Sequence, residues 1–150
     1  MKISVRHPFF VLLFNFLQIT LCSSPLSLVC IGDWGGESDD TPTNEAQQAA
    51  SAGMSKIADK LNASGILLLG DNFYMNGVNT NTSARFKETF ENVYPVSAFK
   101  SLPFYVVAGN HDHRGSVQAQ VDYHGSSRWH FPQLFYKLPF NFTSSTGTHF

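Results

Sequence analysis

Three apolar runs in this chain end in the same way. LSLVCI (26–31) passes into Gly32-Asp33, ILLL (66–69) into Gly70-Asp71, and FYVVA (104–108) into Gly109-Asn110. The three oxygen-bearing residues follow one another at nearly even intervals. Runs that are apolar without alternation suit strands of a parallel sheet covered by helices on both faces. In open α/β sheets, ligands bind beyond the carboxyl ends of the strands. Asp33, Asp71 and Asn110 are therefore expected on one rim, each delivered by a glycine that lets the backbone turn sharply or approach a ligand closely.

The connecting segments fit helices. Ala46, Ala49, Ala50, Gly53, Met54, Ile57, Ala58 and Leu61 recur at helical spacing, with Asn44 and Gln47 as a capping pair and Gly65 as the stop. Phe86, Phe90 and Val93 form a shorter apolar stripe that Pro95 closes. The pattern predicts an α/β fold in the order βαβαβ.

With 150 residues, of which 43% are hydrophobic, the chain has material for one buried core and one domain. That domain is expected over residues 25–150. Before it, Lys2, Arg6 and His7 precede FFVLLFNFLQITL and then Cys22, Ser23 and Ser24. This stretch is shorter than the ~20 apolar residues that span a bilayer, so residues 1–24 read as a secretory signal. The expected destination is secreted or lysosomal, with no membrane anchor.

The formal net charge is −1, and residues 1–24 contain two basic residues and no acidic ones, so nothing points to nucleic acid. Beyond the signal there is one cysteine, Cys30, expected as a buried free thiol, which excludes a disulfide framework. Three sequons, Asn62-Ala-Ser, Asn81-Thr-Ser and Asn141-Phe-Thr, are candidate glycosylation sites.

Two carboxylates and an amide at adjacent strand ends are hard oxygen donors. A carboxylate between two cations can bridge them at the ~3.5–4 Å separation of a two-metal site. A single Gly-Asp after a strand is ordinary turn chemistry. Three in phase, with His111 directly after the third, point to a shared site.

GDWGG (32–36), GDNFY (70–74) and GNHDH (109–113) resemble the first three metal motifs of the metallophosphoesterases, and more narrowly those of the purple acid phosphatases. Gly35 stands where the wider superfamily has the histidine of Asp-x-His. Asn72-Phe73-Tyr74 replaces the Arg-Gly continuation of the protein phosphatases. The stretch SVQAQVDYHGSSRWHFPQLFYKLPF (116–140) extends the likeness to the small, tartrate-resistant type.

This resemblance implies that Asp33 and Tyr74 bind iron(III), that Asp71 bridges, and that the Asn110 amide oxygen binds a second, divalent metal: iron(II), zinc or manganese. A hard trivalent cation prefers anionic oxygen donors and holds a phenol or water deprotonated at acid pH. The resemblance further implies His111 as the catalytic group beside the phosphate, oriented by Asp112 and His113. The implied activity is that of an acid phosphatase hydrolysing phosphomonoesters, small molecules or phosphoproteins, with a metal-bound hydroxide at a binuclear iron-containing centre. A phosphodiesterase of the same superfamily is a wider alternative, which Gly35 and Tyr74 argue against.

Trp34, Arg128 and Trp129 read as packing residues, and His124, His130 and His149 as outside the site. The family pattern continues with Val-x-x-His and Gly-His-x-His; Gly-His-x-His does not occur in this chain, and the Val-x-x-His at 121–124 falls inside the stretch already aligned behind the third motif, with His124 read as outside the site. The expected architecture is thus the first sheet and helices of an αββα sandwich, truncated, as the N-terminal part of a metallophosphoesterase domain. The alternative is a catalytically incomplete secreted glycoprotein that lacks the C-terminal histidine ligands.

Overall fold

The computed structural model describes residues 26–138 and 140. Four strands form one parallel sheet: β1 (Leu28–Ile31), β2 (Gly65–Leu68), β3 (Phe104–Val106) and β4 (Trp129–His130), in the spatial order β1-β2-β3-β4. Val29 lies beside Ile66, Ile66 beside Phe104, and Phe104 beside Trp129. The first crossover contains α1 (Glu45–Leu61). The second contains a π-helical turn (Phe86–Glu91) and α2 (Val96–Phe99), and the third a 3-10 turn (Asp112–Arg114) and α3 (Val117–Val121). The three runs are parallel neighbours, as their sequence predicts. Two residues are too few to carry a periodic signal, so β4 becomes visible only through its pairing with β3.

Helix α1 starts as expected: the Asn44 side chain accepts the N–H of Gln47 at 2.8 Å. The Gln47 side chain does not complete a capping box; it is buried and donates to Thr89 O at 3.0 Å. The helix stops at Asn62, not at Gly65. Asn62 is left-handed (φ 48°) and its N–H bonds the carbonyls of Ala58 and Asp59, a role asparagine takes after glycine. Gly65 opens β2 instead, where an added Cβ would lie 2.7 Å from the Tyr105 ring.

The face that α1 buries is Gln47, Ser51, Met54 and Ala58, while Ile57 and Leu61 are about half exposed. Polar anchoring sets this rotation: besides Gln47, Ser51 Oγ donates to Val93 O at 2.6 Å. Two buried hydrogen bonds to the neighbouring crossover outweigh the apolar stripe beside them.

The core fills one side of the sheet with Val29, Ile66, Leu68, Phe104 and Val106, packed under Trp34, Phe73, Phe86, Phe90, Tyr94, Phe99 and Trp129. Its rings meet mostly tilted or edge-on, as in Trp34–Tyr94 (5.5 Å) and Phe90–Trp129 (5.1 Å). Arg128 and Trp129 are structural. The Arg128 guanidinium lies over Phe90 and Phe104, pairs with Glu91 and donates to Tyr94 O, while Trp129 Nε1 donates to Gln120 O.

On the opposite side, Cys30, Leu69 and Val107 are exposed. The expectation that Cys30 is buried is therefore corrected. Successive strand residues point to opposite faces, so burial of Val29 turns Cys30 away from the core. Among the described residues this second face is only partly covered. No helix among them is long and apolar enough to cross a membrane. The segment read as a signal (1–24), Asn141 and His149 lie outside the described residues.

Candidate metal centre

At the ends of β1 and β2 the chain turns through two aspartates in the same unusual backbone state. Asp33 has φ 54° and Asp71 φ 52°, the left-handed region that few residues other than glycine enter and that aspartate tolerates better than most. Such conformations persist where the surrounding structure enforces them, and they concentrate at functional sites. Two close approaches do the enforcing. A Cβ on Gly35 would lie 2.4 Å from the Asn72 carbonyl carbon, and one on Gly109 only 2.2 Å from Asp71 Oδ1. Any side chain at position 35, histidine included, would collide with the backbone of the second loop.

The donors meet at Tyr74. Its hydroxyl lies 2.7 Å from Asp33 Oδ1 and 3.0 Å from Asp71 Oδ2. The other Asp71 oxygen accepts the N–H of His111 at 2.9 Å. The imidazole of His111 lies against the Tyr74 ring, with centroids 4.4 Å apart, and its Nδ1 is 2.7 Å from Met75 O. A carbonyl only accepts, so Nδ1 carries the proton and Nε2 is the nitrogen left for other work. Asn110 is exposed on the adjoining turn, outside this hydrogen-bonded cluster.

Asp112 faces inward. Its carboxylate is fully buried and accepts from Asn72 N, Phe73 N, Gly109 N and Gln120 Nε2 at 2.8–3.2 Å. It ties the second loop to the third and is not a partner of the His111 ring, which Met75 and Tyr74 hold instead. His113 is exposed in the 3-10 turn. Trp34 is buried in the core and donates Nε1 to Asn72 Oδ1 at 3.0 Å.

Three further residues belong to the site's framework, and the sequence assigned a role there to none of them. Asn72 is fully buried and donates Nδ2 to Val107 O and Gln120 Oε1; Gln120 is also fully buried; Arg85 is 3% exposed. Asn72 was legible as part of GDNFY. Gln120 and Arg85 lie in unremarkable polar contexts.

Burial of Asp71 disfavours its charged form, but the His111 N–H, the Tyr74 hydroxyl and the charge of His111 outweigh it. The carboxyl is held below its ordinary range. The Tyr74 phenol is driven up, first by burial, then by its bonds to Asp33 and Asp71 and by their negative charge. A cation among these oxygens reverses the sign for Tyr74, because it favours the phenolate.

Two carboxylates that share one phenol suit a hard cation, which offsets the repulsion between Asp33 and Asp71. Among the described residues, no group of three or more His, Cys, Asp or Glu could hold a metal ion; the third oxygen in contact with Asp33 and Asp71 is the Tyr74 phenol.

Residues 26–149 match the calcineurin-like phosphoesterase family. The chain belongs to the calcineurin-like phosphoesterases. The chain is similar to tartrate-resistant acid phosphatase type 5 of Oryctolagus cuniculus, 46% identical over 117 residues that make up 77% of this chain and 36% of that protein. The protein of the same name in Homo sapiens is 45% identical over 117 residues, 77% of this chain and 36% of that one. Purple acid phosphatase 3 of Arabidopsis thaliana is 36% identical over 107 residues, 71% of this chain and 28% of that one. The chain thus spans a little over a third of the length of the tartrate-resistant acid phosphatases it matches. Among solved structures, the fold is similar to that of GAP50, "the anchor in the inner membrane complex of Plasmodium", with TM-score 0.67, 24% identity, and coverage of 81% of this chain and 38% of that one. That likeness concerns the fold alone.

Proposed function

We propose that this phosphoesterase contributes the first half of a binuclear centre in an acid phosphatase acting on phosphomonoesters. Asp33 and Tyr74 would hold iron(III), Asp71 would bridge, and Asn110 would serve a divalent neighbour: iron(II), zinc or manganese. The observation that carries this reading is the Tyr74 hydroxyl in contact with both carboxylates. When bound, such a metal pair supplies Lewis acidity and lowers the pKa of water, so that hydrolysis proceeds at acid pH.

The chain's own residues supply the rest. The left-handed turns at Asp33 and Asp71 preset both carboxylates at the rim, so little reorganisation is needed on binding. Asn110 offers an uncharged oxygen, which leaves its cation more electrophilic towards phosphate. His111, with Nδ1 committed to Met75 O, has Nε2 available to stabilise charge on a phosphate oxygen or to protonate a leaving alkoxide.

The signal read at residues 1–24 supports a secreted or lysosomal destination for small-molecule or phosphoprotein substrates. Asn62 and Asn81 are exposed and open to glycosylation, and a glycan on Asn81 would give up the Nδ2 bond to Asp122 O at 3.2 Å. The second reading, a catalytically incomplete secreted glycoprotein, is favoured by the exposed sheet face at Cys30, Leu69 and Val107.

The test is iron(III) titration of residues 25–150. A visible tyrosinate-to-iron absorption band should grow in, and Tyr74→Phe should abolish it with the far-UV circular dichroism unchanged. A band that survives in the variant assigns the ligand elsewhere, and a folded wild-type chain without a band rejects the proposal.

A further inference from the structure

Arg85 carries a full charge into the interior just before the π-helical turn, although none of the three motifs calls for it. A guanidinium taken out of water is tolerated only when its donors find partners. Nη2 donates to Gly35 O at 2.6 Å, Nη1 to Tyr74 O at 2.8 Å and to Asp39 Oδ1 at 3.0 Å, and Nε to Thr89 Oγ1 at 2.8 Å. The group also lies 5.8 Å from the centre of the Phe73 ring. The Asp39 side chain is 88% exposed, so solvent screens that ion pair. The contacts that engage the buried fork are the two carbonyls and Thr89.

Those two carbonyls belong to the loops that carry the metal-binding oxygens. Gly35 lies two residues beyond Asp33 on the first loop. Tyr74 is the phenol of the second, and its own N–H donates to the same Gly35 carbonyl at 3.1 Å. One planar fork therefore bolts the Asp33 loop to the Tyr74 loop. Its orientation is fixed from behind: Thr89 Oγ1, which accepts Nε, donates in turn to Pro42 O at 2.8 Å, and Gln47 Nε2 grips Thr89 O. Widened π turns recur at functional sites. Here the turn begins next to Arg85 and contains Thr89.

We propose that Arg85 is the positioning residue of the metal-binding tyrosine. By locking Gly35 and Tyr74 to each other, it holds the phenol oxygen within reach of Asp33 and Asp71 at once. The inference rests on Tyr74 being a ligand. A lysine cannot replace it, because an ammonium is a point charge and lacks the planar set of donors that spans both carbonyls and the threonine hydroxyl.

The experiment compares Arg85→Lys with Arg128→Lys in residues 25–150. Arg128 is the matched control: it is 4% exposed, donates to a backbone carbonyl and lies at the other end of the sheet, where its own carbonyl accepts Phe104 N at the start of β3. Two readouts apply to variants whose circular dichroism shows them folded. The first is hydrogen exchange of the Tyr74 amide without metal, referenced to the Val107 amide, which bonds Leu68 O in the sheet. The second is the iron(III) concentration that half-develops the visible band.

Arg85→Lys should speed Tyr74 exchange and raise the half-saturating iron concentration, each by about tenfold or more, with Val107 exchange unchanged. Arg128→Lys should lower the melting temperature and move neither readout. Unchanged Tyr74 exchange in Arg85→Lys, or equal effects from Arg128→Lys, overturns the proposal. If Arg85→Lys does not fold, Thr89→Val retains the arginine, removes the Nε acceptor and should shift both readouts in the same direction; no shift overturns the proposal. If the wild-type chain takes up no iron, the ligand reading of Tyr74 fails, while the amide-exchange comparison still decides whether Arg85 is the clamp.

Discussion

The carboxylate of Asp112 holds the backbone N–H of Asn72 between its two oxygens, at 3.0 and 3.1 Å. The residues are far apart in sequence, and the bond joins the loop after β2 to the turn after β3. With Phe73 N and Gly109 N aimed at the same carboxylate, the second and third motifs are fastened by one buried anion and three backbone donors. The Tyr74 contact with Asp33 and Asp71 depends on that junction, because Asn72 and Phe73 connect Asp71 to Tyr74.

Asp112→Asn should therefore be severe. The substitution conserves shape but turns one acceptor into a donor facing backbone N–H groups, and hydrogen bonds to buried charge contribute about 1.5–3 kcal/mol each. Urea denaturation should show a loss of about 3 kcal/mol or more, with iron binding lost too; a loss below about 1 kcal/mol contradicts the role assigned to Asp112.

Gly35→His introduces the residue type found at this position in the wider superfamily, and it should fail as a ligand. Its Cβ would lie 2.4 Å from the Asn72 backbone, so the second loop must shift. Overpacking costs about 1–3 kcal/mol, and the shift carries Tyr74 away from Asp33. Thermal unfolding should report the destabilisation, and iron titration should show weaker binding; a gain in affinity contradicts the steric account.

Tyr136 makes stability fall at high pH. Burial, with a smaller contribution from Tyr105, pushes its phenol from 10.0 up to about 12. Below pH 10 the group is protonated whether the chain is folded or not. Between 10 and about 12 only the unfolded chain releases the proton, so unfolding gains free energy as pH rises through that window. Urea midpoints should drop across it, and Tyr136→Phe should make the drop shallower; equal slopes for the two proteins contradict this assignment.

Residues 25–150 should show negligible hydrolysis of p-nitrophenyl phosphate with iron supplied, at any pH from about 4 to 7. Asp33, Asp71 and Tyr74 meet at the Tyr74 hydroxyl and would hold one cation, whereas of the assigned donors only Asp71 and Asn110 would serve the divalent neighbour, and affinity falls with ligand number. The exposed apolar side chains of Leu69 and Val107 should also drive self-association, and Val107→Lys should reduce it in sedimentation. Turnover by monodisperse protein that is lost in Asp71→Ala contradicts the prediction.

The amino-acid sequence alone determined the parallel strands and the rim. Continuous apolar runs ending in Gly-Asp or Gly-Asn are local patterns, and so is the three-residue offset that sets Tyr74 after Asp71. Asn44 was legible as a cap for the same reason. Tertiary structure alone decided that α1 buries Gln47 and Ser51 instead of Ile57, that Cys30 faces outward, and that Trp129 pairs into a fourth strand. It also decided that Asp112 fastens two loops, with Gln120 and Arg85 completing the framework around Tyr74. Each of these outcomes depends on a buried polar group finding a partner far along the chain, or on which face of an element another element covers. Neither leaves a period in the sequence, because a hydrogen bond between distant residues imposes no regular spacing on their neighbours.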